Sequence, residues 1–149
     1  MRLRPKRFMR KILLLLTTLF VLTACSLDSD SQPDYYIEFI PADAVLIPVA
    51  VTPGETYTVR VAYTKPNGCY LFDRFHTEKE GDAVLIAVQA AVRVDSECKK
   101  YENQQQEDQS FTFTCPETYA LNSYIFKFYN GLDVNGNKTY KQVEIPVKR

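Results

Sequence analysis

Ala83-Val84-Leu85-Ile86-Ala87-Val88-Gln89-Ala90-Ala91-Val92-Arg93-Val94 is the stretch that decides the fold of this 149-residue chain. Twelve residues are long enough for a helix as well as a strand. Val84, Ile86, Val88, Ala90, Val92 and Val94 alternate strictly with their neighbours, so an extended backbone puts all of them on one face. Most of them are β-branched. Such side chains lose rotamer freedom on a helix and pack well on a pleated surface. Spacing and branching together predict a strand.

The neighbouring segments read the same way. Glu80-Gly81-Asp82 turns the chain before this strand. Cys69–Lys79 is rich in aromatics (Tyr70, Phe72, Phe75), with a phase slip at Asp73-Arg74 that predicts a bulge. A hairpin about Gly81 sets Cys69 opposite residue 93 or so. Tyr57–Thr64 alternates cleanly, with Tyr57, Val59, Val61 and Tyr63 on one face. Ala44–Val51 contains Pro48, which removes a ladder donor and predicts an edge strand or a kink. Phe111–Cys115, Tyr124–Tyr129 (Tyr124, Phe126 and Phe128 on one face) and Thr139–Val147 (Val143, Ile145 and Val147 inward) complete seven strands. Tyr35–Ile40 is apolar enough for a short lead-in strand. The polar stretch Asp95–Ser110 is expected as an exposed loop. No segment has a convincing helical pattern. The expected fold is all-β, a two-sheet antiparallel sandwich of about seven strands over residues 42–149.

The start of the chain reads differently. Met1–Lys11 is basic, and Ile12–Ala24 is apolar but too short for the roughly 20 residues that span a bilayer. This is the pattern of a secretory signal over residues 1–24. Its end, Leu22-Thr23-Ala24-Cys25, resembles the bacterial lipobox. That resemblance implies a diacylglyceryl thioether on Cys25, cleavage just before it, and acylation (palmitate or a similar chain) of the new amine. The implied partner is a membrane, held through a lipid anchor whose every buried methylene contributes roughly 0.8 kcal/mol. Ser26 in the second mature position implies sorting to the outer membrane by the same resemblance. Asp28 and Asp30 resemble the surface-export signal of some lipoproteins, and a solvated linker over Ser26–Asp34, within a lipidated N-terminus and acidic linker of residues 25–41, accounts for them equally well. The face, periplasmic or surface, stays open.

Leu121-x-x-Tyr124, ahead of the sixth strand, resembles the corner tyrosine of immunoglobulin-like domains. There the tyrosine hydroxyl bonds back to the backbone of the preceding corner. The body is similar to the immunoglobulin-like domains of bacterial surface lipoproteins, although the buried tryptophan of antibody domains has no counterpart in a chain without Trp.

Charge narrows the functional classes. Residues 1–24 hold six basic and no acidic residues, so their removal turns a net charge of zero into about −6. Without clustered cations there is no electrostatic case for nucleic acid. Of the four cysteines, lipidation of Cys25 leaves three: Cys69, Cys98 and Cys115. An oxidising compartment then predicts one disulfide and one buried thiol. Cys69–Cys98 would close a loop of about 30 residues and contribute roughly 3 kcal/mol; Cys98–Cys115, closing the polar loop, is the alternative.

Catalytic equipment is sparse. His76 is the one histidine, on a strand between Phe75 and Thr77, with no nucleophile elbow in the chain. Cys69 and His76 are poorly spaced for zinc. Asp133-Val134-Asn135-Gly136-Asn137 has its glycine fourth rather than sixth, which suits a hairpin turn better than a calcium loop. Glu78, Glu80 and Asp82 cluster at a turn, as solvated turns do. No cofactor and no metal site is expected. Nineteen Tyr and Phe exceed what a small core needs. Tyr35, Tyr36, Tyr101, Tyr119, Tyr129 and Tyr140 are the candidates to reach the surface, and Tyr101, Tyr119, Tyr129 and Tyr140 the expected ligand contacts.

These readings converge on a non-catalytic binding or structural module of the cell envelope. A glycan-binding accessory lipoprotein is the alternative, and a hydrolase a third class. A glycan binder should show coplanar exposed aromatics, a protein binder an apolar patch, and a hydrolase a pocket of convergent polar groups. Replacement of the anchor residue, Cys25→Ser, is expected to release the protein from membranes, as measured by fractionation of washed, detergent-free membranes.

Overall fold

A computed structural model describes residues 34–94 and 97–149. The signal segment, Cys25, the linker up to residue 33 and positions 95–96 lie outside the described residues. Eight strands form: β1 (Tyr35–Ile40), β2 (Ala42–Leu46), β3 (Thr56–Lys65), β4 (Tyr70–Glu80), β5 (Ala83–Arg93), β6 (Gln105–Thr114), β7 (Ser123–Leu132) and β8 (Lys138–Pro146). They divide into a five-stranded sheet (β1, β4, β5, β7, β8) and a three-stranded sheet (β2-β3-β6). The protein is all-β, with no helix among the described residues.

The decisive stretch is a strand, and it is the centre of the larger sheet. β4 pairs with β5 along Ala83–Val92. β7 pairs with Ala83–Ile86 and β1 with Val88–Arg93. Both overlap β4 in register, so β1 and β7 share the other edge of β5, one after the other. The β7 pairing is parallel, whereas every other pairing between named strands is antiparallel. The eighth strand, β1, falls in the stretch that composition reads as a lead-in, so the sheet begins at Tyr35.

Alternation on β5 holds with one addition. Ile86, Val88, Ala90 and Val92 join the core between the sheets, while Ala83, Leu85, Ala87 and Gln89 on the opposite face are buried as well. A strand covered on both faces reads as a near-continuous apolar run, a pattern that a buried helix shares.

The bulge at Asp73 appears as a register shift between Phe72 and Arg74. Arg93 N donates to Cys69 O at 3.2 Å. Cys98 then reaches Cys69, and the two form the disulfide with Cα atoms 5.2 Å apart. Cys115 is a buried free thiol. β2 ends at Leu46, short of Pro48, and Val51 crosses to the other sheet, where its N donates to Pro146 O and its O accepts from Lys148 N.

One segment departs from expectation. Gln105–Ser110 was expected as loop, yet it is the first half of β6, paired residue for residue with Arg60–Lys65 of β3. Main-chain pairing does not need apolar side chains. The inward positions here are Glu107 and Gln109, because the space between the sheets opens to water at this end.

Aromatic side chains join the two sheets. Tyr63 on β3 stacks on Phe72 of β4 at 6.3 Å, and Phe75 of β4 meets Phe111 of β6 at 5.0 Å. Phe126 of β7 is the hub, packed against Phe111, Phe113, Tyr124 and Phe128. Phe126→Ala is expected to cost about 3–5 kcal/mol in urea unfolding, the range for a large core truncation. Leu71→Ala, on the solvent side of β4, should stay within about 0.5 kcal/mol.

Candidate functional site

The face of the five-stranded sheet turned away from the smaller sheet is built in rows. Register places Ile37 of β1, Ala91 of β5 and Leu71 of β4 side by side. Ile37 is 55% exposed and Leu71 44%, with the small Ala91 between them. Tyr35, one row up on β1, is also exposed. In the rows below, Phe39 of β1 meets His76 of β4 at 5.0 Å between ring centres, next to Ala87. Tyr129 packs edge-on against Phe39 and Tyr140, and Lys138 Nζ lies 4.8 Å from the Phe39 ring. Lower still, an ion pair between Glu80 and Lys127 runs diagonally over β5.

This face is apolar at the top and clipped by polar contacts elsewhere. Gln89, 8% exposed, donates to Asp73 Oδ2 at 2.6 Å. The bulge at Asp73 turns that carboxylate onto this face. Arg74, then Gln89, hold the Asp73 carboxyl below the usual carboxylate range. The bulge and the charges around it also mark β4 as a protected edge.

A second feature lies at the end of the sandwich that carries the disulfide. The fully buried Tyr63 donates from its hydroxyl to Glu107 Oε2 at 3.0 Å, and Lys65 Nζ lies 2.6 Å from Glu107 Oε1. Tyr70 of the other sheet donates to Glu38 Oε2 at 2.8 Å. Burial, then these carboxylates, push both tyrosine hydroxyls well above their ordinary range. The hydrogen bond from Lys65 keeps Glu107 below the usual carboxylate range, and the same bond raises Lys65. Beside this cluster, Lys99, Lys100, Tyr101, Glu102, Asn103 and Gln105 line a depression of about 380 Å³. The Cys69–Cys98 bond and a hydrogen bond from Gly68 N to Lys99 O (2.9 Å) fix its base.

The four tyrosines expected to contact a ligand are not brought together. Tyr101 is half-buried in the lining of the depression. Tyr119, at the other end of the sandwich, stacks on Tyr124 at 5.1 Å and donates its hydroxyl to Ser123 O at 2.9 Å. Tyr129 was expected at the surface and is only 7% exposed, because Phe39 of β1 and Tyr140 of β8 close over it. Tyr140 is exposed at the margin of the apolar face. Tyr124, the expected corner tyrosine, packs its ring against the core, and the hydroxyl bond at this corner is a different one, running forward from Tyr119 to Ser123 O.

Asp133, in the loop compared with a calcium site, is engaged in its own turn. Asp133 accepts from Asn135 N, Asn137 N and Asn137 Nδ2, which closes the β7–β8 turn and holds its carboxyl low. Among the described residues no group of three His, Cys, Asp or Glu side chains is placed to hold a metal. The sequence reading passed over the Ile37–Leu71 ridge. A signal existed: Tyr35, Ile37 and Phe39, with Leu71, are apolar in the phase opposite to the core. No family model, no curated protein and no solved structure matches this chain.

Because Glu107 ionises more readily folded than unfolded, its contribution is present above the unfolded carboxylate value, 4.5, and fades as pH falls through the folded value. Glu107→Gln is expected to flatten the loss of urea-unfolding stability between about pH 5 and pH 3 relative to the parent chain.

Proposed function

We propose that this chain is an exported, lipid-anchored module of the bacterial cell envelope that binds another protein through the open face of its five-stranded sheet. The observation that carries the reading is the in-register row Ile37–Ala91–Leu71, two exposed apolar side chains flanking an alanine on a rigid central strand. Exposed apolar groups contiguous on a sheet and rimmed by polar ones favour a protein partner. Burial of Tyr129 and the separation of Tyr101, Tyr119 and Tyr140 favour it over a glycan platform, which needs coplanar exposed rings. The lipobox at Leu22–Cys25 supports the address, and Ser26 supports the outer membrane.

The role proposed is non-catalytic. The histidine on this face, His76, is half-buried with its ring packed on Phe39. The sheet supplies a preorganised surface, so binding orders little backbone. The rim carries both signs of charge (Lys138 and Lys127, Glu78 and Glu80), which selects a partner's orientation.

The experiment is photo-crosslinking in the living source cell. A benzophenone side chain at position 71 is expected to give a discrete adduct with one protein. The same group at Thr112, exposed on the far side of the smaller sheet, should not. Ile37→Asp should abolish the position-71 adduct without changing the amount of protein. No adduct at position 71, or the same adducts from position 112, would sink the proposal.

A further inference from the structure

The end of the sandwich where the chain enters the sheet carries three apolar side chains that the fold leaves uncovered. Val94 and Leu132 are each 61% exposed, and Val134 at the tip of the β7–β8 turn is fully exposed. They share one end because β5 and β7 run parallel, so Val94 beyond β5 and Leu132–Val134 at the end of β7 project the same way. Asp34 is at that end as well, since its O accepts from Val94 N at 2.9 Å. Val134 is not on a loose loop. The Asp133 carboxylate takes three hydrogen bonds across the turn, and Asp133 N donates to Asn137 O at 2.8 Å, so the tip is held out by its own loop.

From these positions we infer that this end of the domain seats on the bilayer that carries the lipid anchor, with Val134 and Leu132 in the interfacial layer. The inference rests on the lipid-anchor reading of Cys25. Ser26–Asp34 is nine residues, and so short a chain spans at most about 32 Å. The eleven-residue strands β4 and β5 are about 36 Å long. An inverted domain would need a leash that runs past its whole length, which is longer than the chain provides. The apolar end nearest the anchor therefore stays close to the bilayer. A surface tethered so closely meets lipid at an effective concentration of about millimolar, which favours apolar contacts too weak to hold an untethered protein.

The far end supplies an internal control. Val49 is 92% exposed and lies near Val51, which bridges to Val147 at the opposite end of β8. The full-length acylated protein would be reconstituted into phosphatidylethanolamine–phosphatidylglycerol vesicles, with one bimane label on Val134→Cys or on Val49→Cys. Cys115 is buried and Cys69 and Cys98 are bonded to each other, so labelling is confined to the new thiol. Nitroxide-bearing lipids are expected to quench the label at 134 at least twofold and to leave the label at 49 unchanged. Flotation of the same sample reports the anchor separately. Protein that floats but is quenched equally at both sites, or at neither, overturns the seating and leaves the anchor standing. Protein that fails to float overturns both.

Discussion

The pairing of β5 on both edges and both faces is the constraint on which the rest depends. A central strand must satisfy its backbone donors and acceptors laterally, because water cannot reach them. β4 does so on one side; β7 and β1 divide the other between them. That division has a cost in side-chain size. Where neighbours crowd from left and right, Ala83, Ala87, Ala90 and Ala91 leave room for the bulky residues of the adjoining strands. Gln89 is the polar exception, and Asp73 on the bulge of β4 accepts its side-chain hydrogen bond. A bulge at this point thus serves the strand it pairs with.

Joining two sheets without a tryptophan falls to phenylalanine and tyrosine. Edge-to-face and tilted contacts centred on Phe126 tie β6 to β7, while Tyr63–Phe72 and Phe75–Phe111 tie β3 and β6 to β4. Aromatic pairs of this kind contribute about 0.5–1.5 kcal/mol beyond the area they bury. Tyr63 shows how the core ends. Its ring closes the space between the sheets, and its hydroxyl emerges at Glu107, where Lys65 completes the contact. Tyr70 and Glu38 repeat the arrangement on the other sheet. Beyond them the interior gives way to water and to the disulfide-braced loop.

The surfaces divide accordingly. The open face of the larger sheet keeps an apolar row at Ile37, Ala91 and Leu71 and covers the rest of β5 with rings and ion pairs. The end at which the chain enters the sheet keeps Val94, Leu132 and Val134 bare. The opposite outer surface, on β3 and β6, is threonine, glutamine and charge, suited to solvent.

Local pattern was enough for much of this. Strict alternation and β-branching settled Ala83–Val94 as a strand, the phase slip at Asp73 marked the bulge, and hairpin arithmetic brought Cys69 near Cys98. Each depends on neighbours in sequence or on one short turn. Three features were decided only by contacts distant in the chain. The polar Gln105–Ser110 became strand because β3 lay beside it to pair with, a reason no side-chain pattern contains. Tyr129 became buried because β1 and β8 brought Phe39 and Tyr140 over it, whereas alternation reports which face a side chain takes and not what covers that face. The Ile37–Leu71 row exists because β1 and β4 flank β5 in a fixed register. The sequence alone determined most of the strands, the first half of β6 excepted, and the basic, apolar start that ends at Cys25. The tertiary structure alone decided which apolar residues met partners and which were left in water.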